Sequence, residues 1–101
     1  MEIVTKSGQV STTGTKILKA SAFNKEKIEV RLIKFFNSSP YELTLKRVNE
    51  KINKTVILYT FTLDAEDSVF DTTPYSLIEG EYLLAECNVS GTTYLIEGNI
   101  L

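Results

Sequence analysis

The chain has no histidine, no tryptophan, one cysteine (Cys87) and two prolines in 101 residues. Without histidine it lacks the usual general base, the commonest metal ligand and the usual switch near neutral pH. One thiol cannot close an internal disulfide, which excludes a disulfide-stapled secreted module. Charge of one sign is also missing. Eleven basic residues against 13 acidic ones leave a formal net charge of −2. The basic pairs Lys25/Lys27 and Lys46/Arg47 are flanked by Glu26, Glu29 and Glu50. Phosphate neutralisation needs a basic stripe, so no nucleic-acid partner is expected. No apolar run reaches membrane-spanning length, so no membrane partner is expected either. Met1-Glu2-Ile3-Val4-Thr5-Lys6 carries no apolar signal core, and synthesis in the cytoplasm is the expectation. Without a signal core, Asn37-Ser38-Ser39, Asn53-Lys54-Thr55 and Asn88-Val89-Ser90 read as chance glycosylation matches.

The remaining chemistry is thin, and no enzyme is expected. Serine would have only lysine as a base. Cys87 occupies an apolar position of an alternating run, where a small buried hydrophobe belongs. Asp64, Glu66, Asp67 and Asp71 lack the spacing of a known calcium loop and read as a solvated turn. Gly8, Gly14, Gly80, Gly91 and Gly98 form no phosphate-cradling pattern. No cofactor and no metal are expected.

What is present is β-patterning. Hydrophobic residues make up 43% and charged residues 24%, enough for a core without staples. Residues 1–14 are rich in Ser, Thr and Gly, with Ile3, Val4 and Val10 as their only larger apolar side chains. They read as a flexible N-terminal arm or an edge strand. Residues 15–101 read as a single β-sandwich domain. A strand over 15–23 puts Leu18, Ala20 and Ala22 on one face, with Ile17 and Phe23 on the other. The turn Asn24-Lys25-Glu26 leads to a strand over 27–36, where the phase passes from Ile28, Val30 and Leu32 to Ile33 and Phe35. Such a switch marks a β-bulge, or a strand buried on both faces near its end.

Asn37-Ser38-Ser39-Pro40 is a turn. Tyr41, Leu43 and Leu45 alternate with polar residues, and Ile57, Tyr59, Phe61 and Leu63 do the same after a polar connection over 49–54. A brief strand over 68–71 ends at Thr72-Thr73-Pro74, and Leu77-Ile78 precedes another turn. A strand over 82–89, a hairpin at Ser90-Gly91 and a strand over 92–101 close the chain. Turns about every ten residues, with no helical period, predict an all-β fold. The expectation is an immunoglobulin-like or jelly-roll-like β-sandwich of seven to eight antiparallel strands.

Tyrosine supplies the candidate surface anchors: Tyr41, Tyr59, Tyr75, Tyr82 and Tyr94. Tyr75 follows Pro74 outside any expected strand. With Ile3, Val4 and Val10 it makes the predicted partner-binding set, together with loops at one end of the sandwich.

The order of these segments resembles a known family. The turn Asn37-Ser38-Ser39, the alternating strand over 41–45, the run Ile57-Leu58-Tyr59-Thr60-Phe61-Thr62-Leu63-Asp64-Ala65-Glu66-Asp67-Ser68, the run Leu77-Ile78-Glu79-Gly80-Glu81-Tyr82-Leu83 and the closing Ser90-Gly91 carry the resemblance. It spans roughly residues 15–101. The chain is similar to the small β-sandwich virion structural proteins of tailed bacteriophages. Its Lys, Ile, Asn and Tyr usage matches low-GC phages, crAss-like phages among them. It departs from the family at Phe23-Asn24-Lys25-Glu26, where a proline-alanine-glycine turn is common. The resemblance implies a non-enzymatic auxiliary capsid protein, of the decoration or cement kind. Its location would be the virion and its partner the major capsid protein or other virion proteins. A tail or neck component and a glycan-binding, adhesin-like module are the alternatives. Missing tryptophan counts against the glycan binder.

Overall fold

A computed structural model describes residues 2–21 and 27–101. Strands form where β-branched and aromatic residues alternate with polar ones. They are β1 (Glu2–Val10), β2 (Thr15–Lys19), β3 (Ile28–Phe36), β4 (Tyr41–Asn49), β5 (Lys54–Leu63), β6 (Ser68–Asp71), β7 (Tyr75–Leu77), β8 (Glu81–Cys87) and β9 (Thr92–Ile100). Every pairing is antiparallel. One sheet runs β1-β9-β3-β6, with β7 also paired to β3; the other runs β2-β8-β4-β5.

The pairs β1–β9, β2–β8, β3–β6 and β4–β5 nest like an antiparallel ribbon, the first strand with the last and so inward. The pairs β3–β9 and β4–β8 roll that ribbon into two layers. This wrapping is a jelly roll, so the topology selects one of the two expected sandwich types. The described residues form nine strands where seven to eight were expected. The addition is β7: past Pro74 the chain pairs again with β3, and Leu77 becomes fully buried.

The core lies between the layers. Ile33, Phe35, Val30, Leu43, Leu45, Leu83 and Ile96 are at most 1% exposed, each contributing about 1.5–3 kcal/mol by burial. Three bulges set which residues reach it. The β3–β9 register shifts between Val30 and Leu32, so Ile28, Val30, Ile33 and Phe35 all face inward across the phase switch. On β2 the shift between Lys16 and Leu18 buries both Ile17 and Leu18, which correct alternation would have placed on opposite faces. The β4–β5 register shifts between Leu45 and Lys46, leaving Leu58 as the extra residue. Tyr59, Phe61 and Leu63 therefore lie opposite the inward Leu45, Leu43 and Tyr41, while Ile57 lies opposite Lys46 and is 61% exposed. The common face expected for Ile57, Tyr59, Phe61 and Leu63 is broken by that bulge.

Ser90-Gly91 is not a hairpin. It carries the chain from β8 in one sheet to β9 in the other, with Gly91 at φ 90°, a conformation that glycine adopts without strain. Ala22, Phe23 and the turn Asn24-Lys25-Glu26 lie outside the described residues.

Candidate interaction surfaces

The residues that most resemble reactive groups are absorbed by the fold. Cys87 is 4% exposed, and its Sγ lies 2.9 Å from Thr92 Oγ1. Asn37 donates through Nδ2 to the same Thr92 Oγ1 (2.9 Å) and to the Ser90 carbonyl (3.0 Å), and accepts from Ser39 N (2.9 Å). These bonds lock the β3–β4 turn to the β8–β9 turn inside the core.

The acidic run is divided. Asp64 and Asp67 close a turn through Asp67 N to Asp64 O (3.2 Å), while Asp71 accepts from Thr73 N (2.9 Å) and the Tyr75 hydroxyl (2.8 Å). Burial works to raise the Asp71 carboxyl, but the bonds from Thr73 and Tyr75 outweigh it and hold the group below its ordinary range. Among the described residues, no group of three His, Cys, Asp or Glu side chains is placed to hold a metal ion. A hollow of about 440 Å³ lies on the outer face of the four-stranded sheet, lined by Thr44, Lys46, Thr60 and Glu86 among others. It is shallow, and Lys46 is already paired with Glu86.

The predicted contact residues do not come together. Ile3 is 65% exposed on β1. Val4 is half-buried against the core. Val10 is 2% exposed and belongs to the core, because β1 pairs with β9 along its whole length and sets Val10 opposite buried Thr92. Its side chain is closed to a partner. Tyr75 opens β7 and is half-buried, with its hydroxyl held by Asp71. The loop position read for it is corrected by β7 pairing with β3.

Apolar exposure is concentrated at two other places. The first is the outer face of the five-stranded sheet. Lys34 of β3 lies between Leu95 of β9 and Phe70 of β6, and Phe36 sits diagonally from both. Their neighbours Ile33, Phe35, Val69 and Ile96 are buried, so alternation turns Lys34, Phe36, Phe70 and Leu95 outward. Phe70 is 65% exposed and Phe36 36%, and Leu95 is half-buried. Ile3 is on the same face, opposite Asn99.

The second place is the open side of the roll, where β5 ends its sheet. Tyr59 and Phe61 stack with ring centres 4.9 Å apart. With Asp71, Thr73 and Tyr75 they line a hollow of about 220 Å³ between β5 and the β6–β7 corner. Burial, and then the Asp71 carboxylate, raise the Tyr59 phenol above its ordinary range. Ile52, Val56, Ile57 and Phe61 are 43–66% exposed along this side. Sequence reading placed apolar residues on these strands; it missed their exposure, because exposure depends on which strand ends a sheet.

No family model matches the chain, and no curated protein matches it. Solved structures match by shape. The Drosophila NLP core, described for pentamer formation and histone binding, is 8% identical with a TM-score of 0.54, over 96% of this chain and 97% of its own. A Bacillus endospore appendage protein of disulfide-linked pili is 7% identical with a TM-score of 0.50, over 96% and 81%. A pentameric capsid protein from metagenomic phage sequences is 17% identical with a TM-score of 0.49, over 94% and 60%. At these identities the likeness is one of fold.

Proposed function

We propose that this chain is a non-enzymatic structural protein of a virion, an auxiliary protein bound to the capsid shell. The observation that carries the reading is the outer face of the five-stranded sheet. A solvated sheet face is normally polar, whereas Phe36, Phe70 and Leu95 gather there around Lys34, whose stem extends the apolar area. A rigid apolar patch rimmed by polar residues suits a protein partner better than a small substrate. The order of the strand and turn segments resembles small phage virion proteins, and jelly rolls are frequent in capsids, though fold alone does not assign function. Binding to the assembled shell alone would stabilise that shell by mass action.

The test is co-sedimentation of the purified chain with procapsids and mature heads. Wild type is expected to pellet with one of them, and Phe70→Lys, which changes an exposed side chain, to weaken that binding at least about tenfold. Absence of wild-type binding to either particle would overturn the capsid reading and favour a tail or neck position.

A further inference from the structure

We infer that the hollow between β5 and the β6–β7 corner is a cage for a methylated ammonium group, of the kind choline carries. It shares only Phe70 with the sheet face used for the capsid contact. Four aromatic side chains line it: Tyr59, Phe61, Phe70 and Tyr75. An aromatic face is the negative side of its ring and attracts a cation within about 6 Å of the ring centre, more strongly where water is excluded. Two contacts set the rings before any ligand arrives. Tyr59 and Phe61 stack on each other, and the Tyr75 hydroxyl is held by Asp71. Binding there costs little ordering entropy.

Asp71 supplies the charge. It is half-buried on the wall of the hollow, yet it forms no ion pair with any described residue. A carboxylate drawn out of water is normally paired. No basic side chain lines the hollow. Arg47, which acts on Tyr75, donates to the Ser76 carbonyl and lies 4.0 Å from Glu81. The class of cation follows from the two carboxylate oxygens. Oδ1 accepts from Thr73 N and Oδ2 from the Tyr75 hydroxyl. An arginine fork is strongest when it takes both oxygens, and a primary ammonium brings three N–H donors that need acceptors. A fully methylated ammonium has no N–H. It needs only the field of the carboxylate and the ring faces. A phosphate beside that group would meet Asp64, Glu66 and Asp67 in the turn between β5 and β6, so choline suits the hollow better than phosphocholine.

The test is titration of the full chain with choline chloride at neutral pH, followed by the aromatic signals in NMR, with sodium chloride holding ionic strength constant. Saturable shifts of the Tyr59, Phe61 and Tyr75 signals are expected. The neutral tert-butyl analogue of choline should bind at least about tenfold more weakly, and phosphocholine more weakly than choline. Phe61→Ala, at an exposed position, and Asp71→Asn should each raise the choline dissociation constant at least about fivefold. Far-UV circular dichroism checks that both variants keep their strands. Absence of saturable shifts with choline, or equal binding of the neutral analogue, would overturn the inference. Phosphocholine binding as tightly as choline would overturn the choice of ligand. Phe36→Lys should leave choline binding unchanged while weakening the capsid contact, so failure here and failure of capsid binding are told apart.

Discussion

At the scale of single residues, a buried polar group ties distant turns of this fold together. Asn37 is 2% exposed and satisfies three groups from two turns that lie 53–55 residues apart in sequence. Asn37→Ala would take this partner from the buried Thr92 hydroxyl and from the part-buried Ser39 N and Ser90 carbonyl. A loss of about 2–3 kcal/mol is expected from the urea midpoint, with an unchanged slope. Asp71 makes a pH-dependent contribution. Its folded carboxyl lies below the unfolded value of about 3.9. The stability it gives is therefore complete above that value and lost as pH falls through the folded one. Asp71→Asn should flatten the acid limb of stability below about pH 4, as followed by tyrosine fluorescence in urea. An equally steep limb in the variant would remove Asp71 from that role. Asn37 was legible in the sequence only as a turn residue. Its partners across the core were not, because a single asparagine carries no sign of a contact 55 positions away.

At the scale of elements, the strands were legible and their faces only partly so. Alternation located β3, β4, β5, β8 and β9, since a strand half-buried in a sandwich must alternate. The phase switch in β3 was visible because apolar residues stand on both sides of it. The bulge at Leu58 was hidden, as Leu58 and Ile57 are both apolar and either phase reads well. β7 was hidden because three residues after a proline are too short to show a period. The β3 bulge yields a sharp expectation. Arg31 is exposed, so Arg31→Ala should change stability by no more than about 0.5 kcal/mol. Deleting Arg31 removes the extra residue and leaves Val30, Leu32 and Ile33 opposite Gly98, Glu97 and Ile96 in unbroken register, with Ile28, Val30, Ile33 and Phe35 all still inward. The deletion variant should therefore keep a cooperative urea transition. Loss of that transition would show that the fold requires the bulge itself and not only the inward phase on either side of it.

At the scale of the molecule, the roll is closed by its first and last strands. No local pattern announced this, because β1 is mostly Ser, Thr, Gly and charged residues and most of its side chains are exposed. What holds it is backbone: Glu2 to Val10 pair in continuous register with Ile100 to Thr92. Gly8 helps, since the Tyr94 ring lies 3.2 Å from where a β-carbon would stand. Residues 2–10 therefore cannot be stripped away as a detachable arm without opening β9, a strand flanked on both sides. Removing residues 1–10 would expose the far side of β9, empty the site of Val10 and uncover Ile96. A stability loss of about 3 kcal/mol or more is expected from those terms together, a large share of the 5–15 kcal/mol typical of a small domain. The truncated chain should bind a hydrophobic dye and lose the sharp urea transition of the full chain. If it instead unfolds with the same midpoint and slope, β1 contributes no stability and is free to serve as a docking arm.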